Sequence, residues 1–487
     1  MPSVEELAAA TVFVDGRWSS GNGHEYASVD PSTAEAFARW RLADVAQADA
    51  GVAAARAAFA AWSRTEPGER AAALRRFADL LEKHHEELAQ LVTTEVGSPI
   101  SLARTLQTAT PVTNLRWAAD VAESGPRGGY RERLPALDGP PRVESELLRV
   151  PIGVVAAVTP YNYPVNMIAW KVGPALAAGC TVVLLPSPRG ALCSVAVVRL
   201  AEEAGIPPGV LNLVPGGPDV GHRLSAHPDV DLVSFTGSNA IGAAVAEAAA
   251  PLHTKVVLEL GGKSPTVVLP GADLARAVGP SILRFCRNAG QGCGATTRIL
   301  VHRSQYDEFV DAAVAFLREG VPVGDPRNEE TEVGPLISAE HRDRVEGYLR
   351  RAVDRGATLL AGGGRPDPPG FYLEPALVGD VDAADEICQD ELFAPVATVM
   401  PYDTVDEAVT LANDSRYGLN ALVWGDSEEA RDVALRLETG TVAINGGGGA
   451  RPDVPWTGFK RSGVGSEMGL DGYAEFFTVR HLQWPEE

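Results

Sequence analysis

Three short segments carry side chains whose types and spacing could do chemistry. The sharpest is Asn288-Ala289-Gly290-Gln291-Gly292-Cys293-Gly294, a cysteine in a glycine-rich turn after a helix-like run over 273–287. Small neighbours let a carbonyl carbon approach the sulfur, and they leave the Cys293 N–H free to face a developing oxyanion. The thiolate is the reactive form, so the surroundings are expected to lower the thiol pKa. The second segment is Leu258-Glu259-Leu260-Gly261-Gly262-Lys263-Ser264-Pro265, where a carboxylate interrupts an apolar strand before a Gly-Gly turn. A carboxyl taken out of water is costly unless paired or used, and a raised pKa suits a general base. The third is Thr159-Pro160-Tyr161-Asn162-Tyr163-Pro164, at the carboxyl end of an expected strand, where the Asn162 amide can donate to an oxyanion. Alone, each has a purely structural reading: an inert buried thiol, an outward-facing glutamate on an edge strand, an Asx turn between prolines.

The elements that must position these residues follow from periodicity. Short β-branched runs at 153–158, 181–185, 210–214, 231–235 and 255–260 alternate with helix-like segments such as 164–178 and 192–204. Apolar strands alternating with helices predict a parallel sheet covered on both faces, and right-handed crossovers make it a doubly wound, Rossmann-like α/β fold. A second α/β block is expected from about 262 to 461, with strand–helix pairs 298–302 with 304–319 and 420–424 with 427–438. Residues 44–94 read as helices punctuated by Pro67-Gly68, and 126–147, rich in Gly, Pro and charge, read as an extended arm.

Composition limits the function classes. The 487 residues suffice for two or three domains with a large core, and the net charge of −22 disfavours nucleic acid and anionic membranes as partners. The cysteines are Cys180, Cys193, Cys286, Cys293 and Cys388, an odd number without metal-site or redox-motif spacing. Reduced thiols, no metal, no signal peptide and no membrane span are therefore expected, and the compartment is expected to be the cytoplasm.

Together the three segments, with Phe235-Thr236-Gly237-Ser238, Glu391-Leu392-Phe393-Ala394-Pro395-Val396 and Pro455-Trp456-Thr457-Gly458-Phe459-Lys460-Arg461-Ser462-Gly463, resemble the aldehyde dehydrogenase superfamily in type and order. The resemblance runs from about Phe13 to the end. It implies a dinucleotide-binding domain (1–125 and 151–261), an α/β catalytic domain (262–461) and a small β oligomerisation arm (126–150 and 473–487), in a homodimer or homotetramer. It implies that Cys293 attacks an aldehyde, that Asn162 and the Cys293 N–H hold the oxyanion, and that hydride passes to NAD or NADP. Glu259 then activates water on the resulting thioester, with Lys171 in support. The coenzyme positions it implies are Thr159, Tyr161, Ser187, Arg189, Gly237, Ser238, Leu260, Glu391 and Phe393. The CoA-acylating branch of the family typically lacks the glutamate, so Glu259 favours water as the acyl acceptor.

Two regions depart from the family pattern. Where members commonly read Lys-Pro-Ser-Glu, this chain has Leu185-Pro186-Ser187-Pro188, followed by Arg189, which removes two usual adenosine-ribose contacts and adds a cation. Tolerance of NADP is expected from that exchange. The loop 446–453 reads Gly-Gly-Gly-Gly-Ala-Arg-Pro-Asp, which is expected to leave the outer pocket wide. With Tyr163, Met167, Trp170 and Trp456 as pocket-lining positions, a bulky apolar or aromatic aldehyde is expected, while Arg451 could instead draw an acidic tail. A semialdehyde or CoA-acylating dehydrogenase, and a non-catalytic binding protein of the same fold, are the alternatives.

Overall fold

The computed structural model describes residues 1–139, 141–366, 369–448 and 451–486. Five parallel strands lie at its centre: β1 Val154–Thr159, β2 Thr181–Pro186, β3 Leu211–Leu213, β4 Leu232–Thr236 and β5 Lys255–Glu259. Their spatial order is β3-β2-β1-β4-β5, so the winding direction reverses between β1 and β4. In a doubly wound sheet that reversal opens a crevice beyond the strands' carboxyl ends. The hairpin of Val12–Val14 and Arg17–Ser19 extends one edge of the sheet, and Gly463–Val464 pairs with Leu258 and Glu259 on the other. Glu259 is therefore on an interior strand, not an edge.

The crossovers are apolar enough to be buried. Helix α1, Pro164–Ala178, follows β1 directly and starts on a proline, whose missing N–H costs nothing at a helix start. Nearly every one of its side chains is buried, as a helix that is hydrophobic all round must be. Helices α2 (Ala191–Glu203), α3 (Pro218–Ser225) and α4 (Asn239–Ala249) follow β2, β3 and β4. The helix Pro67–Lys83 packs Leu74, Phe77 and Leu81 against the core on one stripe, each contributing about 1.5–3 kcal/mol by leaving water.

The second sheet is also largely parallel. It contains β6 Ser264–Val268, β7 Thr296–His302, β8 Ala376–Gly379, β9 Val396–Tyr402, β10 Asn420–Trp424 and β11 Thr441–Ile444, in the order β8-β9-β7-β6-β10-β11, with Thr358–Ala361 antiparallel at the edge. Helix α5, Leu274–Cys286, links β6 to β7 and carries the chain toward Cys293. The segment expected as an arm forms the strands Arg131–Leu137 and Val143–Pro151, and Phe477–Pro485 pairs with the latter along its whole length. No described helix is long and apolar enough to cross a membrane.

Candidate active site

Three loops meet at the carboxyl ends of the first sheet. Past α5 the chain turns through Asn288 and Ala289, both left-handed at φ 53° and 52°, into Gly290 at φ 70°. Glycine is required there, because a Cβ would collide with the Ala394 backbone. The β5–β6 turn closes from the other side: a Cβ on Gly262 would stand 2.5 Å from the Cys293 carbonyl oxygen.

The Asn162 loop is stitched to this turn. Gln107 Nε2 and Asn288 Nδ2 donate to the Asn162 carbonyl at 2.9 and 3.0 Å. Asn162 Nδ2 donates to the Gln291 carbonyl at 2.8 Å, which leaves its second N–H for an oxyanion. Gln291 Oε1 accepts from the Tyr161 hydroxyl and from Ile337 N–H, both at 3.0 Å. Asn162 is 5% exposed, so its orientation is set by these bonds rather than by water.

Cys293 is half-buried and lines the same cavity as Glu259 and Asn162. Its thiol does not follow the expectation of a lowered pKa. Burial pushes it well above the usual thiol range, with Glu259 and Glu391 adding to the effect, while the N–H groups of Gly294 and Cys293 itself oppose it. The physical reason is first the removal of the sulfur from water, to which the two carboxyl groups add.

Glu259 ends β5 at 2% exposure, and neither of its oxygens has a hydrogen-bond partner among the described residues. Burial raises its pKa well above the carboxylate range and Glu467 adds to this, whereas Lys171 and the Trp456 indole pull it down. Lys171, fully buried on α1, donates to Ser234 Oγ at 3.0 Å and to Glu467 Oε1. The ammonium is thus held by Glu467, a residue the sequence reading missed. A buried lysine demands an acidic partner, but nothing in the sequence says which one.

One cavity of about 1410 Å³ joins this floor to the crevice between β1 and β4. Thr159, Tyr161, Ser187, Arg189, Gly237, Ser238, Leu260, Glu391 and Phe393 all line it. Ser238 Oγ caps α4 by accepting from Ile241 N–H at 3.4 Å, and Ser187 Oγ accepts from Arg189 N–H at 3.4 Å. Glu391 Oε1 accepts from Gly262 N–H at 3.0 Å, and burial raises its pKa to about 7. The Phe393 ring meets Tyr161 edge-on at 6.1 Å. Thr159 Oγ1 and Thr236 Oγ1, at the ends of the two strands flanking the crevice, are buried without partners among the described residues. These orphaned hydroxyls, the capped helix start and the size of the cavity fit a dinucleotide. Leu185, by contrast, is buried among apolar side chains, and the Arg189 guanidinium lies near Tyr26 and 4.0 Å from Glu340.

On the far side of Cys293 the wall is aromatic. Trp170 and Trp456 lie 6.1 Å apart, with Tyr163 and Met167 lining the same space. Gly447 and Gly448 line it too, while Gly449 and Ala450 of that loop lie outside the described residues. Arg451, expected as a position that could draw an acidic tail, lines the cavity. Its guanidinium pairs with Asp453 at 2.6 Å, two residues along the chain, in an exposed ion pair. Arg284 and Arg287, which the sequence reading passed over, face the same space.

Comparison with known proteins is consistent with this geometry. The sequence model of the Aldehyde dehydrogenase family matches residues 18–482. A 3-succinoylsemialdehyde-pyridine dehydrogenase from Pseudomonas sp. is 41% identical over 96% of this chain and 97% of its own length. A geranial dehydrogenase from Castellaniella defragrans is 40% identical over 96% of both chains. Among solved structures, aldehyde dehydrogenase C from Pseudomonas syringae, a cysteine-to-alanine mutant complexed with NAD+ and octanal, is similar with a TM-score of 0.93 at 41% identity, covering 99% of this chain and 98% of that one. A point mutant of betaine aldehyde dehydrogenase from Staphylococcus aureus in complex with NAD+ is similar with a TM-score of 0.94 at 35% identity, covering 99% and 97%.

Proposed function

This chain belongs to the aldehyde dehydrogenase family, and from that premise we propose how its site turns an aldehyde into a carboxylic acid. The reading is carried by Glu259, a carboxyl with no bonded partner, raised in pKa and within electrostatic reach of the Cys293 thiol. Once deprotonated, Cys293 Sγ bonds the aldehyde carbon, and the carbonyl oxygen gains the charge that Asn162 Nδ2 and the Cys293 N–H stabilise. A bound nicotinamide, of NAD or NADP, would accept the hydride of the aldehyde C–H. The acyl group then sits on sulfur as a thioester. Glu259 takes a proton from water, the water oxygen bonds the acyl carbon, and the carbon–sulfur bond breaks to free the acid. Lys171 and Glu467 form a hydrogen-bonded pair within electrostatic reach of Glu259, Lys171 favouring its charged form and Glu467 opposing it. Thr159, Tyr161, Ser187, Arg189, Gly237, Ser238, Leu260, Glu391 and Phe393 would hold the coenzyme.

The substrate in this reading is an aldehyde with a bulky apolar or aromatic body. The Tyr163, Met167, Trp170 and Trp456 wall supports it, as do the geranial, octanal and pyridine semialdehyde in the names of similar proteins. Residues 1–125 with 151–261, then 262–461, remain the proposed dinucleotide and catalytic domains. The three-stranded arm, with Leu137, Val479 and Trp484 exposed, is the proposed contact between copies in a dimer or tetramer.

The test is to incubate the enzyme with either coenzyme and benzaldehyde, with and without CoA, following reduced coenzyme by absorbance and product by mass. Free benzoate formed without CoA, and no turnover by a folded Cys293→Ala variant, are expected. Acyl-CoA as the product, or turnover by Cys293→Ala, would overturn the reading.

A further inference from the structure

The loop that carries Glu391 and Phe393 is gripped by one face of a single helix. Helix α6, Ala339–Asp354, presents His341, Arg344 and Tyr348 at a spacing of i, i+3, i+7, which places all three on one side. Each holds the loop at a different residue. His341 Nε2 bonds the Phe393 carbonyl at 2.7 Å, Arg344 Nη2 donates to the Leu392 carbonyl at 2.8 Å, and the Tyr348 hydroxyl donates to Asp390 Oδ2 at 2.9 Å. The helix start is anchored beside the nucleophile. Ser338 Oγ caps it by accepting from His341 N–H at 3.2 Å, and the preceding Ile337 N–H donates to Gln291 Oε1 at 3.0 Å.

The loop needs this grip because its backbone is strained. Phe393 is left-handed at φ 57°, a conformation that a bulky residue keeps only where its surroundings impose it. The proton on His341 is placed by its neighbour. Arg344 Nη2 also donates to His341 Nδ1, at 3.2 Å, so Nδ1 carries no hydrogen and Nε2 carries the one of the neutral ring. Burial keeps the ring neutral by lowering its pKa to about 4, with Arg344 and Arg189 adding to the effect and the Phe393 carbonyl opposing it. His341, Arg344, Glu391 and Phe393 line the same cavity. With both ring nitrogens engaged, His341 acts on a bound coenzyme through the loop rather than by touching it.

We propose that His341 is a positioning residue for hydride transfer. It donates to the Phe393 carbonyl and so fixes the backbone that presents Glu391 and Phe393 to the cavity, with Arg344 setting the tautomer that donates. This inference rests on the coenzyme-dependent reading above and adds to it a residue that meets the loop.

The test compares His341→Gln, His341→Asn and His341→Leu with the native enzyme. A glutamine Nε2 stands as many bonds from Cβ as the imidazole Nε2 and can make the same donation. An asparagine Nδ2 is one bond short, and leucine has no donor. Two quantities are read: the dissociation constant of the coenzyme by calorimetry without aldehyde, and the rate of the single-turnover burst of reduced coenzyme with benzaldehyde. In the asparagine and leucine variants binding should weaken by about fivefold, the worth of one neutral hydrogen bond, and the burst should slow by about tenfold or more. The glutamine variant should stay within about twofold of native on both, since the bond is kept. Alkylation of Cys293 by iodoacetamide should run at the native rate in all three, which separates the loop from the nucleophile. Native values in the asparagine and leucine variants, or a glutamine variant as impaired as the leucine one, overturn the inference while leaving aldehyde oxidation standing. A native enzyme that neither binds nor reduces either coenzyme overturns the parent reading, and this one with it.

Discussion

The two ends of the long cavity are built on different terms. At the nucleophile end the groups around Glu259 are held from several sides: Asn162 by three hydrogen bonds, the Cys293 turn by Gly262 and Gly290, and Lys171 by Ser234 and Glu467. At the other end Leu185 and Pro188 offer no polar side chain, and Arg189 is 39% exposed with one distant carboxylate. Bond making needs reacting atoms fixed to a fraction of an ångström, so its geometry is over-determined by packing and hydrogen bonds. Ligand choice can rest on a few replaceable side chains, and it is there that this chain departs from its relatives' common pattern. Perturbing the first end should cost orders of magnitude, and perturbing the second only small factors.

The largest effect is expected from Glu259→Gln. The amide preserves shape but cannot take a proton, so steady-state turnover should fall by roughly 10²–10⁴-fold. Rapid mixing should still release one equivalent of reduced coenzyme, because acyl transfer to Cys293 precedes the water step. An unchanged steady-state rate would mean that the buried carboxyl is merely structural and the contrast between the two ends is wrong.

A pH profile sharpens the same contrast. Cys293 and Glu259 both act deprotonated, and both have pKa values raised by burial. At neutral pH each is therefore held mainly in its inactive, protonated form, and activity must rise as pH rises. With one group titrating, kcat/KM should climb about tenfold per pH unit on the acid limb. Coenzyme affinity should show a separate inflection near pH 7, where Glu391, one of the groups that would hold the coenzyme, titrates. A kcat/KM profile that is flat from roughly pH 6 to 9 would contradict the raised pKa values.

Much of this arrangement was legible in the sequence, and the gaps have physical causes. The helix expected over 164–178 forms as Pro164–Ala178, because the proline at its start and the following apolar run act locally. The helix expected over 273–287 ends at Cys286, since Asn288 and Ala289 turn left-handed to bring the cysteine round. Alternation of strand and helix indicated a parallel sheet, but the order β3-β2-β1-β4-β5 is a long-range property that periodicity does not carry. Glu259 stood out because a carboxyl in an apolar strand is locally anomalous. Glu467 did not, because its meaning lies in Lys171, 296 residues away. The direction of the Cys293 shift was misjudged because it comes first from burial, and glycine neighbours do not say how deeply the loop packs.

The smallest effect is expected at the coenzyme end, where Arg189 is the test. A carboxylate at position 188 would repel a 2′-phosphate, and Pro188 has removed it, while Leu185 is buried and offers the ribose nothing. Arg189 lines the cavity, and its nearest acidic neighbour, Glu340, is 91% exposed at 4.0 Å, too weakly held to compete with a phosphate. A guanidinium can meet a phosphate through two parallel hydrogen bonds, whereas a ribose hydroxyl uses at most one without charge assistance. NADP should therefore serve at least as well as NAD. Arg189→Ala should raise the KM for NADP by about tenfold, the worth of one charge-assisted contact, and that for NAD by no more than about twofold. Pro188→Glu should turn the preference toward NAD by restoring the repulsion. Equal weakening of both coenzymes would make Arg189 a general electrostatic contributor, and strict use of NAD by the native enzyme would mean that the phosphate does not reach it. In either case the adenosine end would be choosing its ligand by shape, as the nucleophile end does, and the contrast would fail there.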